Sequence, residues 1–165
     1  MMLYIVRHAI AAPHGTPGIA DEDRELTQAG IRKMKQAAAG LCAAGFVPDL
    51  VLSSPLIRAR QTAEILIEAF RGKPPLRLIP ALFPGGDRVA LYREIRRHKE
   101  SEALMLVGHQ PSLGEIAGEI AWGSAGAALE LKKGGACALE IERLSAAPQG
   151  RLLWLMTPPL LRKLA

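Results

Sequence analysis

The stretch Leu3-Tyr4-Ile5-Val6-Arg7-His8 constrains the fold more than any other part of the chain. A short continuous apolar run rich in Ile, Val and Tyr reads as a strand buried on both faces, of the kind found at the centre of an α/β sheet. It ends in a guanidinium and an imidazole. Open α/β sheets bind ligands outside the carboxyl ends of their strands, so Arg7 and His8 stand where chemistry on an anion is expected. A histidine satisfied inside the core, beside an ordinary surface arginine, is the alternative that this stretch alone leaves open.

The chain then alternates helix and strand. A glycine- and proline-rich loop from Pro13 to Arg24, carrying His14 and Asp21-Glu22-Asp23-Arg24, is expected to lie over the first strand's end. Thr27 caps a helix whose apolar positions Ile31, Met34, Ala38 and Leu41 recur at helical spacing, with Arg32, Lys33 and Lys35 on a solvated face. Asp49–Ser53 reads as a second buried strand. Ser54-Pro55 leads into a helix with Pro55 in its first turn and Arg58 beside the buried stripe of Leu56, Ala59, Ala63 and Leu66. Arg58 and Arg60 read equally as surface cations or as functional groups. Leu76–Leu82 is predicted as a third strand, Asp87 as the N-cap of a helix over Arg88–His98, and Ala103–Gly108 as a fourth strand that again ends in a histidine, His109. A helix with Leu113, Ile116, Ala117 and Ile120 on one face follows. The remainder reads as strands over Ala127–Leu131, Ala136–Glu142 and Arg151–Met156, with a last helix over Pro158–Leu164. The pattern predicts one α/β domain over residues 1–165, with helices on both faces of a mixed, mostly parallel sheet.

A chain of 165 residues, 49% of them hydrophobic, can bury a full core. Its net charge of +5 favours anionic partners without choosing among them. Nucleic acid is not indicated, because only 4% of the residues are aromatic and no basic run is interleaved with stacking side chains. Cys42 and Cys137 lack metal-ligand or redox spacing and read as free core thiols. No window approaches the ~18 apolar residues of a membrane span, and no leader pattern precedes the first strand, so a soluble, cytoplasmic, monomeric protein is expected.

Three strand-to-loop junctions therefore deliver Arg7 with His8, Arg58, and His109. Two guanidiniums can hold a phosphoryl group and stabilise the charge on its equatorial oxygens, while a neutral imidazole can attack phosphorus and carry the group covalently. Nucleotide-binding glycine motifs, metalloprotease His-Glu-x-x-His spacing and a serine-hydrolase elbow are all missing. Arg7-His8-Ala9, Leu26-Thr27-Gln28-Ala29-Gly30, the segment from Ser53 to Ala63 with its Arg-Ala-x-Gln-Thr-Ala run, and Val107-Gly108-His109-Gln110-Pro111 resemble the histidine phosphatase (phosphoglycerate mutase-like) superfamily. Asp21-x-x-Arg24-x-Leu26-Thr27, Pro84-Gly85-Gly86-Asp87 and the ending Trp154-Leu155-Met156-Thr157-Pro158 resemble its SixA-type phosphohistidine phosphatase branch.

The resemblance implies a three-layer α/β/α fold without a cap insertion, and neither metal nor cofactor. It makes His8 the nucleophile and Arg7, Arg58 and His109 the phosphate pocket, with His109 cationic when phosphate is bound; phosphate or sulfate fits such a pocket. Ala9 departs from the glycine frequent at that position in the superfamily. No acidic insertion follows the third strand, so the candidate proton donors are Asp21 and Asp87, with Arg24 contacting phosphate or substrate; a local ion pair is the equal alternative for Asp21 and Arg24. An imidazole leaving group needs little help from an acid, which favours a phosphohistidine on a partner protein, such as a phosphotransfer domain or a phosphocarrier. A small-molecule phosphomonoesterase, and a phosphoprotein-binding module without turnover, are the alternatives.

Overall fold

The computed structural model describes residues 1–124 and 126–165. In chain order the elements are β1 (Met2–Arg7), α1 (Gln28–Ala43), β2 (Leu50–Ser53), α2 (Ile57–Ala69), β3 (Leu76–Leu78), α3 (Arg88–Arg97), β4 (Ala103–Gly108), α4 (Ser112–Trp122), β5 (Ala136–Arg143), β6 (Gln149–Met156) and α5 (Pro158–Lys163). The strands form one six-stranded sheet in the order β3-β2-β4-β1-β5-β6. The pairs β1–β4, β2–β4 and β2–β3 are parallel, while β1–β5 and β5–β6 are antiparallel, which is the mixed, mostly parallel sheet the sequence predicts.

Alternation along the strands feeds two cores. Leu3 and Ile5 of β1 pack with Leu52, Leu104 and Leu106 under α3 and α4, whereas Tyr4 and Val6 pack with Val51, Met105 and Val107 under α1, α2 and α5. β1 is thus buried on both faces and hydrogen-bonded on both edges, as its unbroken apolar run requires. Among the described residues no helix is long and apolar enough to cross a membrane.

Three expectations are corrected. The third strand is shorter than Leu76–Leu82: after Ile79 donates to Ser53 O (2.9 Å), Pro80 has no N–H to continue the ladder, and Pro80–Leu82 turns away as a short 3₁₀ helix. Ala127–Leu131 forms no strand. Its hydrogen bonds go elsewhere: Leu129 N–H donates to Gly114 O in α4 (3.0 Å), Gln110 Nε2 donates to Leu129 O (2.8 Å) and Arg7 Nη1 donates to Leu131 O (2.8 Å). Pro55 lies ahead of α2 rather than in its first turn, since Leu56 is the N-cap.

Candidate active site

β4 lies between β1 and β2, so the residues that follow these three parallel strands meet at one end of the sheet. Arg7 pairs with Gly108 and Ser53 with Val107. Beyond the ladders, His8 N–H donates to Gly108 O (3.0 Å) and Ser54 N–H to Val107 O (2.9 Å), extending the sheet by one residue on each strand. His8, Arg58 and His109 are all buried, at 6%, 3% and 3% exposure, and burial of three such groups together needs a compensating anion or hydrogen bonds.

The two imidazoles lie with ring centroids 5.1 Å apart. His8 Nδ1 is 2.8 Å from Ala9 O, which can only accept, so the proton sits on Nδ1 and the lone pair of Nε2 is left free. Burial, outweighing that hydrogen bond and reinforced by Arg58, Arg7 and Lys133, lowers the His8 pKa to about 4. At neutral pH this ring is uncharged, with a free lone pair on Nε2. His109 is lowered to about 3, again by burial first, then by His8 and Arg58. Its Nε2 lies 2.9 Å from Ser54 Oγ, and that hydroxyl already accepts Leu56 N–H (3.3 Å). With Ser54 donating to Nε2, the His109 proton sits on Nδ1, which is buried with no hydrogen-bond partner among the described residues.

Nor is it the only buried nitrogen without a partner. Arg7 donates from Nη1 to Leu131 O (2.8 Å) and Arg58 donates from Nη1 to Asp21 O (2.7 Å), yet the Nε of each is buried and unpaired among the described residues. Three unsatisfied buried N–H groups on three adjoining elements are the hydrogen-bonding complement of an oxyanion.

The loop carboxylate is tied to this cluster. Asp21 Oδ2 accepts from Arg58 Nη2 (3.2 Å), and its Oδ1 accepts from Arg24 Nε (2.8 Å) and His14 Nδ1 (2.9 Å). The His14 hydrogen bond, with Arg58 and Arg24 behind it, lowers the Asp21 pKa to about 2. The pair is therefore more than the local bridge the sequence leaves open, because it reaches a buried guanidinium. Arg24 is engaged within the loop, its Nη1 donating to Ala12 O (2.9 Å). Asp87 caps α3, accepting from Val89 N–H (2.8 Å) and Ala90 N–H (3.1 Å), and it is not among the residues facing the cleft of about 260 Å³ that runs from His109 and Ser112 to Arg88 and Glu115.

Several residues that hold the site in place are given no role by sequence reasoning. Ala9 N–H donates to Thr62 Oγ1 (3.0 Å), whose own hydroxyl donates to Arg58 O (2.7 Å), so one side chain joins the segment after His8 to the helix bearing Arg58. Next to it, Gln61 Oε1 accepts Leu26 N–H (2.8 Å). Their recurrence beside Arg58 in the Arg-Ala-x-Gln-Thr-Ala run is the signal that could have marked them. The Leu131 carbonyl has no such signal, since any residue would supply it. Among the described residues no group of three or more His, Cys, Asp or Glu is placed to hold a metal ion.

Comparison with known proteins agrees with this geometry. The sequence profile described as histidine phosphatase superfamily (branch 1) matches residues 3–82. An uncharacterised protein of Picosynechococcus sp. is 40% identical over 162 residues, matching 96% of this chain and 97% of its own. The phosphohistidine phosphatase SixA of Escherichia coli is 27% identical over 122 residues, matching 73% of this chain and 74% of its own. A structure of the protein histidine phosphatase SixA complexed with tungstate superposes with a TM-score of 0.85 at 23% identity, over 98% of this chain and 99% of that one.

Proposed function

Since the chain belongs to the histidine phosphatase superfamily, we propose that it is a phosphohistidine phosphatase acting on a histidine of a partner protein through a covalent intermediate on His8. The observation that carries this reading is the set of three unpaired buried nitrogens around a neutral imidazole. Arg7, Arg58 and His109 hold the phosphoryl oxygens; that a structure of the protein histidine phosphatase SixA is complexed with tungstate, itself a tetrahedral oxyanion, supports the reading. His8 Nε2 attacks phosphorus, the substrate's N–P bond breaks, and the departing imidazole takes up a proton. Water then attacks the phosphoryl group, the His8–phosphorus bond breaks, and inorganic phosphate leaves.

The preference for nitrogen over oxygen as the leaving atom rests on the carboxylates. Asp21 is an anion at neutral pH and suits the activation of water better than the protonation of an alkoxide, while Asp87 is engaged at the cap of α3. A leaving imidazole has a pKa near neutrality and needs no strong acid. Arg24 and His14 position Asp21.

Hydrolysis of a small phosphate ester is the second reading, favoured by the cleft beside His109, where Glu115 is paired with Arg88 at 2.8 Å. Phosphate release in the presence of EDTA, from a phosphohistidine-bearing phosphotransfer protein and from a panel of phosphate monoesters, separates the two. The expected result is faster release from the phosphoprotein, lost in His8→Ala. A preference for an ester assigns the protein to small-molecule chemistry; binding without release makes it a recognition module, and full turnover by His8→Ala rules out the covalent route.

A further inference from the structure

Beside the nucleophile, on the face covered by α1 and α5, lies a groove of about 390 Å³ that the chemistry does not use. Its floor is apolar, formed by Ala9, Met34 and Pro158, and its rim carries Lys33, Lys133 and Arg162. None of these three cations belongs to an ion pair among the described residues, whereas the neighbouring Lys132 is turned to Glu130. The groove shares a wall with the site: Ala9 follows His8 directly, and Gly134 N–H, in the turn after Lys133, donates to both Arg7 O and His8 O at 3.1 Å. Small-ligand sites combine apolar walls with fixed, convergent polar groups. Here the polar groups are long cationic stems at the rim, which suit the surface of an acidic protein.

We propose that this groove is the docking surface for the partner: an acidic segment flanking the phosphohistidine, with apolar side chains on Ala9, Met34 and Pro158 and carboxylates against Lys33, Lys133 and Arg162. The assignment rests on the reading of the substrate as protein-borne. It gives the net charge of +5 a location and a use.

The test is the charge reversal Lys33→Glu/Arg162→Glu, with Lys33→Gln/Arg162→Gln as a milder pair and Lys133 left intact because its charge also acts on His8. Two substrates are compared, an acidic phosphotransfer domain phosphorylated on histidine and free phosphoimidazole. The reversal is expected to raise KM for the phosphoprotein on the order of tenfold, to weaken the dependence of that KM on salt, and to leave phosphoimidazole turnover unchanged. An unchanged KM for the phosphoprotein, or equal losses on both substrates, overturns the inference. If the wild type releases phosphate from neither substrate, the phosphohistidine reading falls by itself. Amide chemical shifts of the labelled protein, titrated with the unphosphorylated domain, then decide the groove: changes centred on Met34 and Arg162 and abolished by the reversal support it, and their absence refutes it.

Discussion

At neutral pH the rings of His8 and His109 carry no charge, since burial, helped by the arginines beside them, holds their pKa values at about 4 and about 3. In the unfolded chain both titrate near the ordinary value of about 6.5. As pH falls below that value the unfolded chain takes up protons that the folded protein refuses, so stability declines until the folded values are reached, by on the order of 1 kcal/mol per pH unit for each ring. Asp21 acts in the same direction at lower pH: its lowered pKa stabilises the fold above the ordinary carboxylate range, and that contribution is lost as pH falls toward about 2. Thermal melts between pH 7 and pH 5 are expected to show a falling Tm, with a flatter slope in His8→Gln/His109→Gln; an identical slope in that variant would mean that other groups carry the effect. The gathering of Arg7, His8 and His109 is legible in the sequence because they stand at strand ends, and that of Arg58 because its helix starts just beyond one. Ser54 and Thr62 are harder to find, because each acts through a hydroxyl whose partner is distant in sequence.

α1 reaches the site through its first turn. Thr27 accepts Gly30 N–H at 3.0 Å in the cap, and its own N–H donates to Ile10 O at 2.9 Å, so the helix start is fastened to the segment following His8. That contact requires glycine at position 30, where a Cβ would stand 2.0 Å from Ile10 O. Gly30→Ala is expected to destabilise the protein by about 1–3 kcal/mol in urea unfolding and to lower kcat more than KM, because the backbone that yields also carries Ala9 and His8. Unchanged stability and kcat would show that the helix start is free to move. At this scale the sequence was readable wherever hydrophobic period and element coincide, as in α1, β1 and β4. It misled where the partner decides: Leu76–Ile79 has strand composition, but Pro80 cannot donate and ends the ladder, and Ala127–Leu131 ends in alternating residues yet pairs its backbone with Gly114, Gln110 and Arg7 rather than with a strand.

In the whole molecule, two cores are separated by a sheet whose central strands are assembled from distant parts of the chain. The fold class was legible from the order of elements, because parallel neighbours joined by helices leave few topologies; the strand order was not, since no local pattern says that β1 enters between β4 and β5. That placement bears on how the protein is made. On the ribosome β1 and the His8 that follows it are made before β4 and β5, so this strand finds a first partner only when residues 103–108 have emerged and a second only after residues 136–140. A nascent chain therefore carries His8 long before it has a place to put it, and loop closures of this length are slow to form. Ribosome-stalled chains ending at successive positions are expected to stay protease-sensitive and inactive until β5 has cleared the exit tunnel; activity in a chain stalled before β4 emerges would contradict this. An unfinished copy would thus lack a formed site, with competence delayed until β5 has been made.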